Sequence, residues 1–156
     1  MKFYLDSDWF IDTTEFIDLS IGVSTHGVRA WYLNSPRISP VMENGFVGSV
    51  ELGGAVNFRD IYFNPHGHGT HTESHGHISK EVFPVSSCFN QFFFEAQLIT
   101  ISPKVIGEDR VITAEQLRNI SPCDALVIRT EPNDLSKGTT NYSDTNPTYM
   151  DVACVD

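Results

Sequence analysis

The chain has 156 residues, 40% of them hydrophobic and 12% aromatic, and carries a formal net charge of -10. That length suits one domain, which is expected to bury ~70% of the surface its unfolded chain exposes, and the apolar share calls for a folded core. The acidic balance excludes nucleic acid and anionic membrane surfaces as partners, since both would repel it.

Met1 to Phe16 interleaves acids with aromatics, and no run is apolar over enough length to span a bilayer. No signal peptide and no membrane span are therefore predicted. The three cysteines, Cys88, Cys123 and Cys154, are odd in number and far apart, with no C-x-x-C spacing. This predicts reduced, buried thiols in a soluble cytoplasmic protein. Charges are scattered as on an ordinary solvated surface, and no repeat, low-complexity tract or linker divides the sequence, so residues 1–156 are read as a single domain.

Taken in chain order, Phe16 to Ile21 reads as a short strand. Ser24 to Pro40, rich in Pro, Ser, Asn and Gly around Trp31 and Tyr32, predicts a long ordered loop. Aromatic residues in such a loop are first of all packing residues, because they carry large apolar area. Phe46 to Phe63 alternates apolar and small residues around Gly53 and Gly54, consistent with a hairpin leading into the histidines that follow.

Asn64 to His77 reads N-P-H-G-H-G-T-H-T-E-S-H-G-H and holds five of the six histidines with one carboxylate, Glu73, and no Lys or Arg. Imidazole nitrogen with carboxylate oxygen suits Zn, Mn or Fe better than the hard cations that prefer all-oxygen shells. From Thr70 onward an extended chain would put His71, Glu73, His75 and His77 on one face. A helix is disfavoured by Gly67, Gly69 and Gly76, and a zincin-type H-E-x-x-H would not place the acid midway between His71 and His75. The Gly69-Thr70 step would turn the backbone so that His66 or His68 meets His71 and Glu73. Three ligands with an open position make a catalytic site, whereas structural zinc is usually closed by four. The plain alternative is a solvated His-rich loop, which the internal position between apolar, strand-like segments argues against.

Beyond the histidines, F-F-F-E-A-Q-L-I-T-I at 92–101 has the density of a central strand with its phenylalanines in the core. Thr113 to Gln116 is a capping box opening a short helix through about Asn119. D-A-L-V-I-R-T at 124–130 then reads as a buried strand of a parallel sheet. Strands first and a β-α-β unit later predict a mixed α/β domain. Asn146-Pro147 should cap and open a last helix.

The run G-T-H-T-E-x-x-x-H at 69–77 resembles the H-x-G-T-H-x-D-x-P-x-H signature of the putative cyclase family of metal-dependent hydrolases, which includes bacterial kynurenine formamidase and isatin hydrolase. I-D-L-S at 17–20 is similar to that family's opening strand, and A-W-Y-L-N-S-P at 30–36 to its Trp-containing substrate loop. Three departures stand out. The family's first histidine aligns with Gly67, so its role passes to His66 or His68, with Asn64-Pro65 favouring His66. The family's aspartate is Glu73, and Ser74-His75 stands where less polar residues are usual, leaving His75 without a role.

The resemblance implies a swivelling β/β/α domain with a mixed sheet. It also implies a metal-dependent hydrolase of an amide or lactam bond, arylformamidase-like, acting on a small aromatic amide. His66, His71 and Glu73 would hold Zn or Mn, His77 would be general acid and base, and Trp31 would contact substrate. A homo-oligomer, in its simplest form a homodimer, is a further expectation. No histidine follows His77, whereas the family completes a second metal position with a distal histidine and glutamate, so the resemblance implies a C-terminally truncated member with weak metal binding.

Two other readings are open. His66-x-His68 followed by Glu73 reproduces the H-x-H-x-x-x-x-E core of a cupin, although Asp60 and Lys80 replace its flanking glycines. A third reading keeps the cyclase fold as a non-catalytic small-molecule binder. A His71 ligand favours the hydrolase, and a cation on His66, His68 and Glu73 the cupin.

Overall fold

A computed structural model describes residues 1–4 and 8–155. At the N-terminus β1 (Lys2–Tyr4) and β2 (Phe10–Asp12) pair antiparallel. Residues 16–21 form no strand. Their end is held instead by Thr70, whose hydroxyl accepts the Ile21 amide at 2.8 Å and whose own amide donates to the Ile21 carbonyl at 3.0 Å. Ile21 thus spends its amide and carbonyl on Thr70 rather than on a ladder, while the Ser20 amide donates to the Asp18 carboxylate.

The loop that follows runs to Pro36, and its last four predicted residues become a strand. Four strands come next: β3 (Arg37–Pro40), β4 (Met42–Glu43), β5 (Phe46–Val47) and β6 (Arg59–Tyr62). The hairpin lies one turn earlier than the glycine pair suggested, because β4 and β5 close on Asn44-Gly45, with φ of +51° and +82°. Asn-Gly is the pair that best tolerates a turn with both central residues at positive φ. β6 pairs antiparallel with β3, Arg37 opposite Tyr62, and so delivers the chain to Asn64.

The histidine stretch then forms one helical turn, α1 (Pro65–His68), against the expectation of no helix. The Asn64 side chain accepts the His66 amide at 3.0 Å and Pro65 takes the first position, so cap and proline outweigh the glycine. Residues 69–74 form no regular element, with Gly69 and Ser74 in extended backbone, and His75–His77 makes a 3-10 turn capped by Ser74. Another helical turn, α2 (Val85–Cys88), follows.

The second half is built on β7 (Ala96–Ile101), β8 (Lys104–Ile106), β9 (Asp109–Ile112), α3 (Ala114–Leu117), β10 (Ala125–Thr130) and β11 (Tyr149–Met150). β7 and β10 are parallel, in register from Ala96 with Ala125 to Ile101 with Thr130. β11, β9 and β8 form a mixed three-stranded sheet. At α3 the Gln116 carboxamide oxygen accepts the Thr113 amide at 3.1 Å, the reciprocal half of a capping box. No helix opens at Asn146, whose side chain donates to the Glu108 carbonyl and the Asp109 carboxylate while Tyr149 and Met150 pair with Val111 and Ile112.

The architecture is therefore mixed α/β, with small sheets and few helices. Among the described residues only Ile101, at the end of β7, and Val111 and Ile112, at the end of β9, are buried hydrophobics. Phe92, Phe93 and Phe94 lie before the strand and are exposed, not core as expected. Cys88 and Cys123 are exposed as well, and all three thiols are free. The accessible surface is 12665 Å², against about 7,900 Å² for a compact monomer of this mass and about 25,000 Å² for the unfolded chain. Folding thus removes about half of the unfolded surface rather than the expected ~70%. No helix of the described residues is long and apolar enough to cross a membrane.

Candidate metal centre

The short helix and the run after it create the site. Asn64 caps α1 and sets His66 on its first turn, and the chain then passes through Gly69, in extended backbone, to His71 and Glu73. Two close approaches make this path workable. A Cβ on Gly69 would sit 2.8 Å from the Ile21 carbonyl oxygen, and one on Gly67 would sit 2.5 Å from Leu33 Cδ1. Gly67 also accepts the Ala30 amide at 3.0 Å, which joins the Trp31 loop to the histidine helix.

Glu73 is the hub. Its Oε2 lies 2.8 Å from His66 Nδ1 and 3.1 Å from His71 Nε2, and its Oε1 lies 3.7 Å from His77 Nε2. Partial desolvation pushes the Glu73 carboxyl up, but hydrogen bonds from His71 and His66 and the fields of His77 and His66 outweigh it. The net effect holds it below the ordinary glutamate value.

One ligand atom each from His66, His71 and Glu73 lies within 4.8 Å of the other two, and among the described residues this is the group that could hold a metal ion. Bonds of ~2.0–2.2 Å to a tetrahedral ion separate its ligands by about 3.4 Å, so these residues fit a cation after small side-chain rotations. The tautomer of His71 fits as well. Its Nδ1 is 3.1 Å from the Gly69 carbonyl oxygen, which can only accept, so with a cation bound Nδ1 would donate there and leave Nε2, which faces Glu73, as the ligating atom. An outer partner of this kind is what ligating histidines require.

The other histidines separate by role. His68 is buried at 1% exposure; its Nδ1 accepts the Asn64 amide at 2.8 Å, and its Nε2 is 2.9 Å from the Asn34 carbonyl, to which it must donate. Both nitrogens are spent on the backbone, which leaves no cupin ligand set of His66, His68 and Glu73. His75 turns away in the 3-10 turn and packs its ring 4.2 Å from that of Phe83, beside the bond from the Ser74 hydroxyl to the Phe83 carbonyl. His77 returns to the cluster, its ring centroid 4.5 Å from that of His66.

Trp31, Leu33, Asn64, His66, His71, Glu73 and His77 line a cleft of about 630 Å³. A second depression of about 540 Å³, near Ser102, Arg129 and Glu131, gathers no comparable ligand set; its Glu131 accepts the Ser102 hydroxyl at 3.0 Å.

Comparison with sequence families matches residues 17–156 to the family described as Putative cyclase. The chain belongs to this family. Comparison with curated proteins and with solved structures returns no match. In this cyclase-family chain, sequence reasoning overlooked Asn64 as a cap, Leu33 as a cleft wall and Tyr32, Ser143 and Asp144 as supports of the Trp31 loop. The Asn-Pro pair was a readable signal for the first, while the others depend on contacts between distant segments.

Proposed function

We propose that this cyclase-family protein is a hydrolase that cleaves an amide or lactam bond of a small aromatic substrate in the histidine cleft. The observation that carries the reading is the convergence of His66, His71 and Glu73 in the cleft that Trp31 lines, with His77 alongside. Zn or Mn, held by those three residues, would when bound supply Lewis acidity and bring a water's pKa toward ~7. The swivelling β/β/α arrangement of the family is part of the same proposal.

The chain's own residues perform the rest. His77 takes the proton of the attacking water and delivers it to the departing amine nitrogen as the carbon-nitrogen bond breaks, a task imidazole suits near neutral pH. Glu73 keeps its charge for the cation because its neighbours hold it ionised. The Trp31 indole, 69% exposed, offers a face on which an aryl group stacks. A net charge of -10 supports a small-molecule substrate over a polyanion.

The test is turnover of formanilide-type and cyclic amides by purified protein loaded with Zn or Mn. His77→Ala should lose ~10²–10⁴-fold in kcat while zinc binding persists. Wild-type protein that binds an aryl amide without turning it over would replace this reading with the non-catalytic one.

A further inference from the structure

Trp31 lines the cleft from a strained turn of the backbone. The turn from Ala30 to Leu33, closed by the Leu33 amide on the Ala30 carbonyl at 3.1 Å, has Trp31 and Tyr32 at φ of +57° and +59°. That is the φ pattern of a type I′ turn, which Asn and Gly normally occupy, and two adjacent aromatic residues there are unfavourable without outside support. The support comes from more than a hundred residues away. The Tyr32 amide donates to Ser143 Oγ at 2.9 Å and the Tyr32 hydroxyl to Asp144 Oδ1 at 2.7 Å.

Asp144 is itself left-handed, at φ +63°, so two of the four non-glycine residues at positive φ among those described, Tyr32 and Asp144, are joined by this contact, and a third, Trp31, adjoins it in the chain. The flanking chain is tied down too, by the Arg29 amide on the Thr140 carbonyl at 3.2 Å and the Tyr142 amide on the Arg29 carbonyl at 2.7 Å. Backbone strain held in place by remote hydrogen bonds beside a cleft is the arrangement expected of a preorganised binding element.

We propose that Tyr32, Ser143 and Asp144 are positioning residues, a clamp that fixes the Trp31 indole at the histidine cleft and thereby confers selectivity for substrates with a planar aromatic group. This rests on reading that cleft as the substrate site. The clamp touches neither the ligating residues nor His77, so it acts on binding of the aryl group and not on the bond-breaking step.

The experiment uses the full chain in a Trp9→Phe background, which leaves Trp31 as the lone tryptophan. Tyr32→Phe removes the hydroxyl, Ser143→Ala the second acceptor, and Asp144→Gly the carboxylate while tolerating the positive φ. Each variant should lower Trp31 fluorescence anisotropy and raise its quenching by acrylamide, with zinc affinity unchanged. For formanilide, KM should rise about five- to tenfold at constant kcat, the scale of one ordinary hydrogen bond lost at an exposed site, whereas KM for N-butylformamide should not change. Tyr32→Phe combined with Asp144→Gly should be no worse than either alone, since both remove one bond. Unchanged anisotropy in Tyr32→Phe, or a loss of zinc affinity in step with KM, would overturn the clamp. If wild type hydrolyses neither amide, the hydrolase reading fails by itself, and the anisotropy and quenching of Trp31 still decide whether the clamp exists.

Discussion

At the scale of single residues, two histidines three positions apart have opposite employment. His68 gives both ring nitrogens to backbone groups in a buried position, while His71 gives one to Gly69 and keeps the other for the cleft. Removing them should therefore produce opposite phenotypes. His68→Ala leaves the Asn64 amide and the Asn34 carbonyl unpaired around a void, which should cost on the order of 3 kcal/mol. It should lower the urea midpoint sharply while the folded fraction still titrates with one zinc. His71→Ala, at a partly exposed site, should leave the midpoint nearly unchanged and weaken zinc by at least the ~10–100-fold that loss of an outer-shell partner alone typically costs. Parallel urea and zinc titrations of the two variants check this. Loss of zinc from folded His68→Ala would mean that the ligand set has been drawn wrongly.

At the scale of elements, the site depends on how closely three segments run past each other. Gly69 and Thr70 lie against Ile21, and α1 lies against the Trp31 loop, with glycine at each crossing. At Gly69 the obstacle to a Cβ is a backbone carbonyl, which cannot swing aside, so Gly69→Ala should destabilise by about 1–3 kcal/mol and move His71 off the cluster. At Gly67 the obstacle is the tip of the Leu33 side chain, and Gly67→Ala should cost less because that tip can rotate. Thermal denaturation with and without zinc separates the two. Equal losses in both variants would show that the Ile21 segment yields as readily as a side chain.

For the whole molecule, the governing fact is the surface. Phe92, Phe93, Leu98, Ile61 and Val105 are all more than half exposed, and the total of 12665 Å² is about 1.6 times that of a compact monomer of the same mass. Apolar surface on this scale drives association. We expect the purified chain to run as a dimer or larger homo-oligomer in size-exclusion chromatography with light scattering, more so in sulfate, which strengthens apolar burial. A concentration-independent monomer would oppose this.

What could be read from the sequence follows the range of the interactions involved. The metal-type chemistry of residues 64–77 and the capping box at Thr113 were legible because their causes lie within a few residues: a donor set without competing cations, and a side chain reaching its own helix start. The parallel pairing of β10 was legible from its unbroken apolar run, and β7 supplies the neighbour, but the expected burial is not met, since the two strands form a sheet by themselves and no residue of β10 is buried. The two Asn-Pro pairs mark the limit. At Asn64 nothing competes for the side chain, and it caps α1. At Asn146 the carboxamide meets Glu108 and Asp109, β9 offers its edge to Tyr149 and Met150, and the same dipeptide leads into a strand. Asn64-Pro65 favoured His66, but the bonds that occupy both nitrogens of His68, and those from Tyr32 to Ser143 and Asp144, came only with the fold. Each turns on which polar group from a distant segment arrives within hydrogen-bond reach, and local propensity carries no term for that.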